Sequence, residues 1–144
     1  MNIEFMNLAL REAQNALHRN CIPVGAVIVK EGELICSASN KDGAIFHAEL
    51  MAITEAIHIL GCNFLNNCDL YVTLEPCAMC AQAISLARIE NLYFGAYDTK
   101  YGAVVNNARI LQYAMHKPGV VGGIMESKCS EILQKFFRNK RKKL

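Results

Sequence analysis

Between Asn2 and Asn20, the apolar residues Met6, Leu10, Ala13 and Leu17 recur at three- and four-residue intervals, while Arg11, Glu12 and Gln14 fall on other faces. That is the period of an amphipathic helix with one packing side. Pro23 prevents its continuation. The pattern then becomes an unbroken apolar run, Val24-Gly25-Ala26-Val27-Ile28-Val29, with the length of a buried strand. Glu31-Gly32 supplies turn chemistry, and Glu33 to Ala38 reads as the returning strand of a hairpin. Asn40 to Phe46, with Lys41-Asp42-Gly43 inside it, has no period and reads as a loop. From His47 to Leu60, Leu50, Ile53, Ile57 and Leu60 again share one side, and Gly61 is suited to end that helix.

The second half alternates in the same way. Asp69 to Leu74 predicts a strand. Pro76 ends it and brings a φ suited to the first turn of the next helix, which runs to about Arg88. Asn91 to Ala96 predicts another strand, and Tyr97 to Asn107 is a polar connection beyond its end, where ligand loops tend to sit. Ala108 to Ala114 predicts a short helix, and His116-Lys117-Pro118-Gly119 a turn. Ser127 is placed to cap a last helix that turns Cys129, Ile132, Leu133 and Phe136 to the core. Phe136 and Phe137 stand about 100° apart on that helix, so one faces the core and the other does not. A hairpin followed by alternating strands and helices predicts an α/β domain with helices on both faces of a mixed sheet.

Composition adds limits. A chain of 144 residues, 53% hydrophobic and 19% charged, suffices for one domain over 1–144 with its own core, and it is not a disordered chain. No internal repeat, low-complexity tract or linker divides it. Glu4, Arg11 and Glu12 interrupt the N-terminus before a signal-type apolar region can form, and no run approaches the roughly 18 apolar residues of a membrane span. The expectation is a soluble, cytoplasmic protein. The formal charge is only +2, yet Arg138, Lys140, Arg141, Lys142 and Lys143 crowd the last seven positions. Residues 138–144 read as a basic C-terminal tail, either simply solvated or a strip that meets phosphate.

Chemistry concentrates at Pro76-Cys77-Ala78-Met79-Cys80. Two cysteines three apart on one helical turn point the same way, and a helix start favours their thiolate form. A histidine elsewhere can be the third soft ligand of a metal they hold, and no second Cys-x-x-Cys or His-x-x-x-His is present to close a tetrahedron. Three protein ligands leave a position for water, the pattern of a catalytic zinc. Glu49 follows His47 by two positions, roughly 200° around a helix, so it is poorly placed as a ligand of the same ion. Near a helix start it can reach a bound water, take its proton and return it to a leaving amine. His58 lies roughly 16 Å along the helix from His47, far beyond one coordination sphere. His18 and His116 lack partners at metal spacing and read as surface or packing residues. Glu75, before a proline at a strand end, reads as structural and not as a second acid. Cys21, Cys36, Cys62, Cys68 and Cys129 remain, and read as reduced thiols.

His47-Ala48-Glu49 with Pro76-Cys77-Ala78-Met79-Cys80 matches H-x-E…P-C-x-x-C, the known signature of the zinc-dependent nucleobase deaminases. Together with Pro23-Val24-Gly25-Ala26-Val27, Leu70 to Cys77, Phe94 to Ala103 and Phe136-Phe137-Arg138, the chain resembles the bacterial tRNA-specific adenosine deaminases of the cytidine deaminase superfamily over nearly its whole length. The resemblance implies a three-layer α/β/α fold around a mixed sheet of about five strands. It implies one zinc ion per subunit on His47, Cys77 and Cys80, with Glu49 as proton shuttle. It further implies a homodimer, a tRNA anticodon stem-loop as partner, and conversion of its wobble adenosine to inosine. Asn40, Asp98, Lys100, Phe137 and Arg138 are the implied substrate contacts: Asn40 through its amide, Phe137 by stacking on a base. The chain departs from the family pattern at Gly43-Ala44-Ile45-Phe46, in a shorter connection from Asn40 to His47, and at Gln82. Two other readings stand beside this one: a deaminase of free bases or nucleosides with the same zinc chemistry, and a non-catalytic RNA-binding module in which a fully ligated zinc staples two helices.

Overall fold

The first apolar stripe becomes helix α1 (Ile3–His18), started by Asn2, whose side-chain oxygen accepts the Glu4 amide at 3.0 Å. The apolar run and its polar partner become β1 (Gly25–Lys30) and β2 (Glu33–Ser39). Glu31 and Gly32 both take positive φ, 50° and 83°, as the tight hairpin turn between twisted strands requires. Helix α2 (Ala48–Leu60) ends at Gly61 in the left-handed conformation, and β3 (Cys68–Leu74), α3 (Ala78–Leu86) and β4 (Asn91–Ala96) follow. A short strand β5 (Gly119–Val121) and helix α4 (Glu126–Lys142) complete the chain. This computed structural model describes residues 1–142.

The strands form one sheet in the order β2-β1-β3-β4-β5. β1 is antiparallel to β2 and to β3, and β3, β4 and β5 run parallel. Helices α1 and α4 touch each other on one face, and α2 and α3 touch on the other, giving three layers. The inner strands are therefore covered on both sides: Val27, Ile28, Leu70, Val72, Leu92 and Phe94 are all fully buried. At Gly25 the backbone of α1 lies so close that a Cβ would collide with the Ala9 carbonyl oxygen and the Ala13 nitrogen. The Gly25 amide is satisfied instead by the buried Thr73 hydroxyl at 3.1 Å.

This topology positions the site. Because β2 and β3 both oppose β1, they run in the same direction, and β4 runs with them. The segments leaving β2, β3 and β4 thus emerge at one edge of the sheet. They are the segments that carry His47, Cys77 and Asp98–Tyr101.

Four local expectations are revised. The strand β5 lies where only a turn was expected; it is three residues long and exposed throughout, so it carries no apolar alternation to read. Ser127 is inside the first turn of α4, not its cap, because Glu126 already opens the helix after Met125 at φ 53°. The short helix after Ala108 is a single 3-10 turn, Ile110–Gln112. Residues 138–142 of the expected tail continue α4 as helix, and Lys143 lies outside the described residues. Among the described residues, no helix is long and apolar enough to cross a membrane.

Candidate metal centre and substrate cavity

His47 and Cys77 occupy equivalent places, each the residue just before a helix, α2 and α3, and neither spends its side chain on capping. Asn40 takes over that task for α2: its Oδ1 accepts the Ala48 amide at 2.7 Å. The imidazole is thereby left for another partner. His47 Nδ1 lies 3.5 Å from Cys77 Sγ and 3.7 Å from Cys80 Sγ, and one ligand atom from each of the three residues falls within 4.8 Å of the others. With Zn–S near 2.3 Å and Zn–N near 2.0 Å, a tetrahedral site has N···S edges of about 3.6 Å. The three donors therefore fit a zinc ion. Among the described residues they are the only cluster of this kind, so no fourth protein ligand closes the set.

The electrostatics suit this purpose. The Cys80 thiol and amide donate to Cys77 and, with His47 beside it, hold the Cys77 thiol down at about 5 against the cost of burial. Cys80, as donor to Cys77 and buried, moves the opposite way. Glu49 is buried in the first turn of α2. Burial pushes its carboxyl up to about 7, and the Cys77 charge adds to the effect.

These groups open onto a cavity of about 800 Å³. Its lining includes His47, Glu49 and Cys77 at the bottom, Asn40, Asp98 and Lys100 from the loops, and Phe137 from α4. Of the substrate contacts implied by resemblance, Asn40, Asp98, Lys100 and Phe137 are brought together here. Arg138 is not: it lines a neighbouring groove with Gln134 and Arg141. Phe136 turns to the core and Phe137 stays 45% exposed, resolving which ring does which. Tyr97, Thr99 and Tyr101 also line the cavity and were missed, although all three stand in the polar loop expected to hold ligand residues. His58 and His18 are exposed, and His116 Nε2 bonds the Ile89 carbonyl at 2.7 Å, a packing role.

Glu75 is structural, in an unusual way. Its Oε1 accepts the Asp98 amide at 3.1 Å and the Asn106 side-chain amide at 2.7 Å. Its Oε2 accepts the amides of Val104, Val105 and Asn106 at 3.0–3.1 Å. Burial opposes the charge, and these donors outweigh it, holding the carboxyl below its ordinary range.

Residues 1–96 match the family model of the cytidine and deoxycytidylate deaminase zinc-binding region. Over 143 residues the chain is 47% identical to the tRNA-specific adenosine deaminase of Agrobacterium fabrum, covering 95% of this chain and 94% of the relative. The chain belongs to the tRNA-specific adenosine deaminase family. It is also 42% identical over 145 residues to the Bacillus subtilis member, covering 96% of this chain and 90% of that one. A solved structure from work on A-to-I editing by tRNA:A34 deaminases superposes with a TM-score of 0.89 at 45% identity, covering 92% of this chain and all of that one. A guanine deaminase from Nitrosomonas europaea, 18% identical, shares the fold with a TM-score of 0.82. As in other members of this zinc-binding deaminase family, the metal expected at His47, Cys77 and Cys80 is zinc.

Proposed function

We propose that the protein deaminates adenosine to inosine at the wobble position of a tRNA anticodon. The observation that carries this reading is the three-donor site of His47, Cys77 and Cys80 opening into a cavity beside the buried Glu49, in a chain 47% identical to a tRNA-specific adenosine deaminase over nearly its full length. Bound zinc supplies the Lewis acidity that brings the pKa of water from 15.7 to about 7. Glu49 takes the proton of the attacking water and delivers it to the exocyclic nitrogen that leaves C6 as ammonia; a carboxyl near neutral pKa serves both steps. Asn40, held by its bond to the Ala48 amide, presents its remaining amide group to the nucleoside, and Asp98 and Lys100 flank the entrance. The half-exposed Phe137 offers a base a stacking face, and Arg138 on the adjoining groove meets phosphate.

The subunit acts as a homodimer in the cytoplasm. Exposed Ile59, Phe64, Leu86, Tyr113 and Met115, on or near α2 and α3, support a paired surface, and light scattering tests it. The function is tested by incubating the protein with an anticodon stem-loop bearing the wobble adenosine and, separately, with free bases and nucleosides, then measuring inosine and ammonia. Inosine in the stem-loop is expected; deamination of free bases alone removes the tRNA assignment.

A further inference from the structure

The wall of the cavity formed by Asp98–Tyr101 has no strand or helix of its own. Its first residue leaves β4, and its far end returns across the metal segment: the Ala103 amide donates to the Pro76 carbonyl at 2.9 Å, and Gly102 pairs with Cys77. Between these ends the donors turn inward onto one side chain. Five hydrogen bonds reach Glu75 from Asp98, Val104, Val105 and both amides of Asn106, while Glu75 itself is 2% exposed. At Gly102 a Cβ would stand 2.5 Å from the Glu75 carboxyl carbon, so the loop can wrap this closely only with glycine there. Asp98 Oδ1 then accepts the Lys100 and Tyr101 amides at 3.1 and 3.0 Å, which fixes the segment that faces the cavity.

We propose that Glu75 is a positioning residue for substrate recognition: its two oxygens, both acting only as acceptors, fix the cavity wall of Asp98–Tyr101 against the Cys77 segment. Glu75 borders the cavity with only 2% of its surface exposed and both oxygens taken up by loop donors, so it acts through the loop it gathers. The requirement is for two acceptors. A carboxylate meets all five donors, whereas an amide of the same shape must turn an NH2 group toward one set of them, donor against donor. With its carbonyl kept on the three amides of Val104–Asn106, a glutamine at this position would face its NH2 to the Asp98 amide and the Asn106 side chain. Changing Asn106 to aspartate supplies an acceptor for that NH2.

This inference rests on the RNA reading above, and its test separates the two. Turnover of the stem-loop by the unaltered protein examines that reading; the behaviour of E75Q relative to it examines this one. In E75Q, bound zinc and kcat stay within about threefold, KM for the stem-loop rises about tenfold, and the amides of Asp98 and Val104–Asn106 exchange with solvent about a hundredfold faster. E75Q/N106D recovers most of the KM and of the protection, an exchange of partners that a purely general loss of stability would not reproduce. N106A, which removes one donor and leaves the carboxylate, gives a smaller rise in KM and serves if E75Q does not fold. The proposal is overturned if E75Q or N106A loosens these amides while KM is unchanged, if E75Q leaves the amides protected, or if the loss is in zinc or kcat alone. If the unaltered protein does not act on the stem-loop, exchange in E75Q and in the double variant still decides whether the carboxylate holds the wall.

Discussion

At the scale of single residues, the site is made by side chains released from ordinary duties. His47 stands where helices are usually capped by their own side chain, and Asn40 does the capping instead, so the imidazole is left to face two thiols. Glu49 is buried where a carboxylate is costly, and desolvation brings it to about 7, the range in which a group both accepts and gives up a proton. Replacing it isosterically, E49Q, is expected to leave zinc content unchanged by metal analysis and to lower kcat by about 10²–10⁴-fold in the inosine assay. Near-normal turnover with zinc bound would remove Glu49 from the proton path.

At the scale of elements, α4 divides its work between its two faces. Phe136, 6% exposed, is buried on α4 with Cys129, Ile132 and Leu133, while the next residue, Phe137, lines the cavity. F136A is expected to cost about 3–5 kcal/mol in urea unfolding, as a large buried ring lost to a cavity does. F137A should leave the unfolding midpoint nearly unchanged and weaken stem-loop binding by about 1–3 kcal/mol, the range for one stacked base. Equal effects of both on stability would contradict this division. The apolar periods that announce α1, α2, α4 and the inner strands could be read directly, because each element buries a continuous stripe or both faces. The strand β5 could not, since its three exposed residues join the sheet through backbone hydrogen bonds alone. The three donors that the structure brings together, His47, Cys77 and Cys80, were legible from residue type and spacing. The gathering of the 98–106 loop onto Glu75 was not, because four of its five donors are backbone amides, which every non-proline residue carries.

Across the whole molecule, the buried thiols outside the metal site, Cys21, Cys36, Cys68 and Cys129, behave as one class. Burial pushes Cys36, which also faces the Glu55 charge, up to about 12, and Cys129 up to about 11, from an ordinary value of 9.0. Above pH 9 the unfolded chain releases these protons while the native protein still holds them. Their contribution to stability is therefore complete below about pH 9 and is lost as pH rises through 11 to 12. Urea unfolding across pH 8 to about 10.5 should show stability falling with alkalinity, and C129A should flatten part of that slope. A slope unaltered by the substitution would mean that this thiol is not shielded as its burial indicates.

The common edge at which β2, β3 and β4 end has an evolutionary consequence. The three candidate zinc donors and Glu49 follow the first two of these strands, while Asp98–Tyr101 of the cavity wall follow the third. The connection after β4 can therefore vary in sequence without displacing the three donors, which are set by the segments after β2 and β3.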